Sequence, residues 1–329
     1  MALIGAINCL SGVGNTGNPQ CFFDPAFLSG AVMVPKGASY DTTANSGNVL
    51  TTLSANFYNT NKAARWYPLY DFEKPTDSSD KLTLQSMPNG AKHPVREGFN
   101  DWMFQYFDGG LTKHLNARLF NGSNWDFFFI DTDLQTGLQR LIGIQGATSP
   151  ILQAFPCNPG GFFWAHPWGL NTGTERSRYE LQFQFNQRYT NTKGLTQFQS
   201  VPFTFDTSLP GLVDMNILAS ATVNATAKNF NICLVSPTGV DIGALFTSTF
   251  TSAANWVIKT AAGVSLTITG SPTWTPSPDG IQPGYFTIVI ATTGYPTPPA
   301  PIVFNTVAPT ALVVLGLYYE AVPLTIAST

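Results

Sequence analysis

The sequence predicts an all-β protein of two domains: an N-terminal β-sandwich or barrel with one short helix, then a smaller C-terminal β-sandwich. Three observations predict it. The 329 residues include 29 Gly, 24 Pro and 25 Phe, poor material for long helices. Short apolar runs recur between turn signals, and the clearest alternates with period two, as a half-buried strand does. Only one segment, 111–120, has helical spacing, with Leu111, His114, Leu115, Arg118 and Leu119 on one face.

Along residues 1–210 the elements follow in order. The aromatic stretch VREGFNDWMFQYF, within 94–107, fits either a strand or a short helix. The helix at 111–120 comes next. The turn Asn121-Gly122-Ser123 leads into an aromatic strand at 125–130. That strand leaves through Asp131 to Gly137, and the run 138–144 pairs back as a hairpin. Residues 179–187, YELQFQFNQ, give the period-two strand. Ser208-Leu209-Pro210-Gly211 then forms a turn-rich joint, placing the boundary between an expected β-sandwich assembly domain, 1–210, and an immunoglobulin-like domain, 211–329.

The second domain reads as about seven short strands, at 215–221, 229–235, 244–250, 255–260, 264–268, 285–291 and 312–319. Their spacing predicts an immunoglobulin-like sandwich. SPTWTPSPDGIQPG and TGYPTPPAP read as proline-rich loops, and no internal repeat is visible.

Charge is scarce and uneven. Asp, Glu, Lys and Arg make up 11% of the chain, with a net charge of −3, against about 25% in an ordinary domain. This excludes a disordered chain and a nucleic-acid binder acting through bulk positive charge. Residues 211–329 hold only Asp214, Lys228, Asp241, Lys259, Asp279 and Glu320. A domain so poor in charge must cover its surface with Thr, Ser, Asn and apolar groups, which fits standing contact with neighbours. The expected state is a homo-oligomer that tolerates high salt. The first residues lack Lys and Arg and are broken by Gly5 and Asn8, unlike a secretory signal. No run approaches the roughly 18 apolar residues that cross a bilayer, so cytoplasmic synthesis without membrane insertion is expected. Cys9, Cys21, Cys157 and Cys233 show no metal-ligand spacing and read as reduced thiols.

Asp131-Thr132-Asp133 before Gly137 lacks the closing glutamate of a calcium loop and reads as a turn. Glu97 and Asp131 could form a glycosidase pair, but nothing in the sequence brings them together. No GxSxG accompanies His93, His114 or His166, which read as packing residues at loop edges. The glycines at 11–14 and 157–161 lack the GK[ST] ending of a phosphate loop. No catalytic residue, metal or cofactor is expected. The remaining candidate is the dense aromatic segment that begins at Phe162. Phe162, Phe163, Trp164 and Trp168, with Trp274 from the second domain, form a candidate contact or ligand platform. It would stack sugars or meet a partner, and the competing reading is a core loop.

The segment PNGAKHPVREGF, at 88–99, with Trp102 to Phe107 and the strand from Trp125 to Ile130 closing on Asp131, resembles β-rich virion proteins of tailed bacteriophages. The resemblance spans residues 40–205 as a pattern and is nearest to tail-tube proteins and their relatives at the head–tail junction. It implies a virion structural protein without catalytic residues, self-assembling into rings, usually hexameric, that stack around a channel. Edge strands would pair between subunits. The implied partners are copies of itself and other virion proteins, with DNA only as passing cargo, and the implied location is the virion. An immunoglobulin-like C-terminal domain is a frequent decoration of that family. The aromatic segment around Trp164 has no counterpart there, which leaves a capsid-decorating or receptor- or carbohydrate-binding virion protein as the alternative.

Overall fold

The structure is a computed structural model. It describes residues 7–8, 28–44, 47–79, 83–88, 90, 92–96, 99–106, 110–132, 137–145, 151–157, 160–167, 169, 179–186, 196–219, 228–277, 279–296, 301–314 and 316–326. The chain divides into two compact units, Met1–Leu209 and Pro210–Thr329. It is all-β, with few and short helices.

Unit 1 contains, in order, β1 (Ile7–Asn8), β2 (Leu28–Pro35), β3 (Ser39–Asp41), helix α1 (Val49–Phe57), β4 (Tyr67–Tyr70), β5 (Glu73–Asp77), β6 (Thr83–Ser86), β7 (Lys92–Arg96) and β8 (Phe99–Tyr106). Helix α2 (Gly110–Arg118), β9 (Trp125–Thr132), β10 (Gln139–Gln145), β11 (Ile151–Gln153), β12 (Phe162–Ala165), β13 (Tyr179–Asn186), β14 (Thr196–Ser200) and the single turn α3 (Phe205–Ser208) follow. An eight-stranded sheet runs β1-β14-β10-β9-β2-β4, with β11 on β10 and β3 on β11. A four-stranded sheet runs β12-β13-β8-β5, and β6 pairs with β7. The aromatic stretch left open between helix and strand is β8, and β9 and β10 form the hairpin read from the sequence.

The two larger sheets face each other across an aromatic core. The period of two sends Phe127 and Phe129 to one side of β9, where they meet Phe183 and Phe185 of β13 at ring-centroid distances of 5.1–5.9 Å. Phe128 points the other way. It meets Trp66 at 5.2 Å, and Trp66 meets Phe57 of α1 at 6.3 Å. Strands β2 and β9 are therefore buried on both faces, and their centres, 31–34 and 127–130, read as unbroken apolar runs. Helix α1 escaped sequence reading because only Leu53 and Phe57 carry its buried side.

Unit 2 contains β15 (Leu212–Ala219), β16 (Asn229–Val235), a 3₁₀ turn (Gly243–Phe246), α4 (Thr247–Phe250), a 3₁₀ turn (Ala253–Asn255), β17 (Trp256–Thr260), β18 (Thr273–Thr275), β19 (Tyr285–Val289), β20 (Ile302–Thr306), a 3₁₀ turn (Pro309–Ala311), β21 (Val313–Val314), β22 (Leu317–Val322) and β23 (Leu324–Ile326). A six-stranded sheet, β18-β19-β16-β15-β22-β21, packs on a three-stranded sheet, β17-β20-β23. Strand β15 pairs parallel with β22. This six-plus-three order differs from the four-plus-three order of a constant-type immunoglobulin domain.

Four expectations for unit 2 are corrected. Residues 264–268 form no strand, and Ser265 and Ile268 make only single bridges, to Lys259 and Ile290. Residues 244–250 are helical, because Phe246 and Phe250 recur four apart and both are buried. Residues 312–319 are two strands, β21 and β22, turning at Gly316, whose φ is 78°. Within SPTWTPSPDGIQPG, residues 273–275 form β18, not a loop.

The sheet edges are closed or short. Beyond β12, Gly122 exchanges both backbone bonds with Phe163 at 2.9 Å, and the Asn121 side chain binds Ala165 N at 2.6 Å. The edge strand β5 carries Pro75 and a register break between Glu73 and Thr76, and β4 carries Pro68. Beyond β17, Leu266 N donates to Ile258 O and Thr260 N to Val264 O, both at 2.8 Å. Among the described residues no helix is long and apolar enough to cross a membrane.

Candidate functional site

Strands β12, β13 and β8 each send alternate side chains to opposite faces of the four-stranded sheet. Phe163, Leu181, Phe183, Trp102 and Phe104 point into the core. Phe162, Trp164, Gln182, Gln184, Asp101, Met103 and Gln105 share the outer face. The chain enters β12 through a tight turn in which Gly161 N donates to Cys157 O at 2.6 Å. A Cβ at Gly161 would collide with the Gln184 carbonyl oxygen, so glycine is required for that close approach.

Register lays the outer face out in rows. Trp164 lies opposite Gln182, Gln182 opposite Met103, and Met103 opposite Thr76. The next row holds Phe162, Gln184 and Asp101, and on the other side Glu180 lies opposite Gln105. Adjacent strands are about 4.8 Å apart, so these side chains are cross-strand neighbours. Gln182 Nε2 donates to both Asp101 carboxylate oxygens at 2.8 Å. Its Oε1 accepts from His166 Nε2 at 2.9 Å, which fixes the proton on that nitrogen. Gln105 Nε2 donates to Glu180 Oε1 at 3.0 Å. Trp164 stands beside this array and is 43% exposed.

The aromatic residues read together from the sequence are separated. Phe162 and Trp164 share the outer face, half-buried and exposed. Phe163 is completely buried against Phe183, with ring centroids 4.9 Å apart, so its place on a platform is corrected to the core. Trp168 lies outside the described residues. Trp274 belongs to unit 2, where its ring packs on Phe286 at 4.7 Å. Its outer edge is held between Gly243 and Gly284, where an added Cβ would stand 2.6 and 2.5 Å from the indole. Trp274 is therefore a packing residue rather than a flat exposed platform.

The other candidates have structural partners. His114 is fully buried on α2 and lies 5.0 Å from the Tyr179 ring. Its Nε2 donates to the His166 carbonyl, and its Nδ1 accepts from Tyr106 OH at 2.8 Å. Burial lowers the His114 pKa, against a raising contribution from that carbonyl. Asp131 is held by both arms of Arg140, at 2.8 and 2.6 Å, within the β9–β10 hairpin. Glu97 lies outside the described residues. Asp126, buried, accepts from Gly37 N at 2.7 Å and Cys157 N at 3.3 Å. Burial pushes its carboxyl up, and burial and Asp126 push the Cys157 thiol up to about 12. Among the described residues no three His, Cys, Asp or Glu side chains gather to hold a metal.

Chemically, the outer face offers hydrogen bonds and one stacking surface. Between His166 and Asp101 stands the Gln182 amide, which orients both but passes no proton between them. The polar members escaped sequence reading, although a signal was present: Glu180, Gln182 and Gln184 occupy every second position of the alternating strand. Compared with known proteins, the chain matches no family model, no curated protein and no solved structure.

Proposed function

We propose that this chain is a non-enzymatic structural protein of a tailed-phage virion, self-assembling into rings or a tube through its C-terminal unit. The observation that carries this reading is the surface of unit 2. Ile281 is 88% exposed and Val240 62%. Each stands on an ordered turn: Asp279 accepts from Ile281 N and Gln282 N at 2.9 Å, and Ser236 Oγ from Val240 N at 3.1 Å. Both turns lie at one end of the six-stranded sheet, because β16 leaves where its antiparallel partner β19 begins. Asp241 ties that end together, accepting from Gly243 N and Gly284 N, and Leu245 is also exposed there.

Ordered turns that display aliphatic side chains suit a surface made to be covered. A standard interface buries roughly 1,600 Å², about 900 Å² of it apolar. At about 25 cal/mol per Å² that supplies on the order of 20 kcal/mol gross, which must offset association costs. Ion pairs at an exposed rim add only about 0–1 kcal/mol each, so high salt should leave such contacts intact. The test is sedimentation of the purified chain at low and at 1 M salt, with negative-stain microscopy. Rings or tubes in both conditions, dispersed by Ile281→Lys, are expected. A monomer throughout, or an assembly lost at 1 M salt, overturns the reading.

A further inference from the structure

We infer that the outer face of β12, β13 and β8 binds a neutral glycan, with a sugar ring stacked on Trp164 and its hydroxyls bonded by Gln182, Gln184 and Asp101. Four observations carry this. Trp164 keeps 43% of its surface exposed on a sheet face, although its neighbours Phe163 and Ala165 are buried. An indole in that position offers an apolar face to the C–H face of a pyranose and loses little conformational freedom in doing so.

The polar groups beside it are oriented in advance. Gln182 is fixed at both ends of its amide, by Asp101 and His166. Asp101 accepts from Gln182 through both oxygens, and a carboxylate has about four acceptor sites, so it retains capacity for ligand hydroxyls. Among the described residues no group hydrogen-bonds the Gln184 side-chain amide. Amides and a carboxylate at about 5–7 Å intervals match a ligand built of neighbouring hydroxyl groups, each both donor and acceptor.

Charge and edge geometry decide between ligand classes. β12, β13 and β8 contain no Lys or Arg, while Asp101 and Glu180 lie on the face. A phosphate- or sulfate-bearing polymer would be repelled. A peptide added as a further strand needs free backbone groups on β12, and Gly122 and Asn121 already occupy those groups at Phe163 and Ala165. The hydroxyl-rich neutral chain remains, lying across the face rather than along its edge.

This inference does not rest on the assembly reading. Its test is calorimetry of the full chain with six probes: the hexasaccharides of cellulose, xylan, laminarin, starch, mannan and chitin, with heparin as the polyanion control. At least one neutral hexasaccharide should bind while heparin does not. Trp164→Ala should weaken that binding at least tenfold, Gln182→Ala several-fold, and Leu50→Ala not at all. Sedimentation of Trp164→Ala should equal that of the unaltered chain. Three results would each overturn the assignment: no neutral probe bound, affinity indifferent to Trp164→Ala, or altered sedimentation of Trp164→Ala, which would make the face a subunit contact.

Discussion

Two adjacent aromatic residues give the sharpest check on the site. Phe163 and Phe162 sit next to each other on β12, and the pleat sends them to opposite faces. Phe163 is fully buried, with the Phe183 ring 4.9 Å away, whereas Phe162 is half-buried on the outer face opposite Gln184. Truncating a buried Phe to Ala loses transfer energy and leaves a cavity, at a cost of about 3–5 kcal/mol. In a unit of this size each kcal/mol moves the midpoint by about 2–4 °C, so Phe163→Ala should lower the Tm of unit 1 by about 6–20 °C. Phe162→Ala loses only part of its burial and should cost about 1 kcal/mol or less. Differential scanning calorimetry of both variants checks the pair. A one-residue slip would exchange the faces of every side chain on β12. Equal shifts, or a larger one for Phe162→Ala, would therefore refute the register and remove Trp164 from the outer face.

Two further outcomes follow from buried groups. The folded-state pKa of His114 is lowered, chiefly by burial and also by Arg118 and His166, so the unfolded chain binds the proton more readily. Its contribution to stability is present above the ordinary value of 6.5 and is lost as pH falls through the lowered one. Urea midpoints measured across that interval should decline towards acid, and His114→Gln should flatten the slope. In unit 2, a Cβ at Gly284 would lie 2.5 Å from Trp274 Cη2 and Cζ2 and 2.9 Å from Thr275 O. Gly284→Ala should therefore destabilise by about 1–3 kcal/mol and shift the Trp274 emission. Trp274→Phe in the same chain should recover part of the loss in a urea titration.

The sequence made some features legible and hid others for identifiable reasons. Strand β13 was readable because Tyr179, Leu181, Phe183 and Phe185 alternate with polar residues, and one buried face imposes that alternation. Helix α2 was legible as an element but not in its buried face: of the face read from the sequence His114 is buried, whereas Leu115 and Leu119 are exposed and Ala117 packs inward instead. The helical turns at 243–250 were not. Phe246 and Phe250 lie on one buried side, but the intervening Thr and Ser residues fit a strand equally well. Strands β18, β20 and β23 lie among prolines or near the end of the chain, and pairing with β19, β17 and β20 respectively decides them, which is a tertiary fact. The aromatic cluster at 162–168 was visible as composition, but its division between core and surface needed the direction of the pleat at Phe163. The array of Asp101, His166 and Gln182 has its outermost members 81 positions apart in sequence and comes together only through β8–β13 and β12–β13 pairing.

The closed edges decide how subunits of this chain could meet. A ring built by strand addition needs a long bare edge on at least one sheet. Here the backbone of β12 is taken by Gly122 and Asn121, β5 and β4 each hold a proline, and β18, β21 and β23 are two or three residues long. Side chains on sheet faces and loop ends are what the described residues leave available, and in unit 2 those are aliphatic at Val240, Leu245 and Ile281. Contacts of that kind are not directional, so their geometry would come from the rigidity of the turns rather than from backbone pairing. Asp279 and Ser236 supply that rigidity by holding the backbone N–H groups of the residues displayed. Removing the Asp279 carboxylate should thus weaken assembly through loop order alone, leaving every apolar contact atom in place.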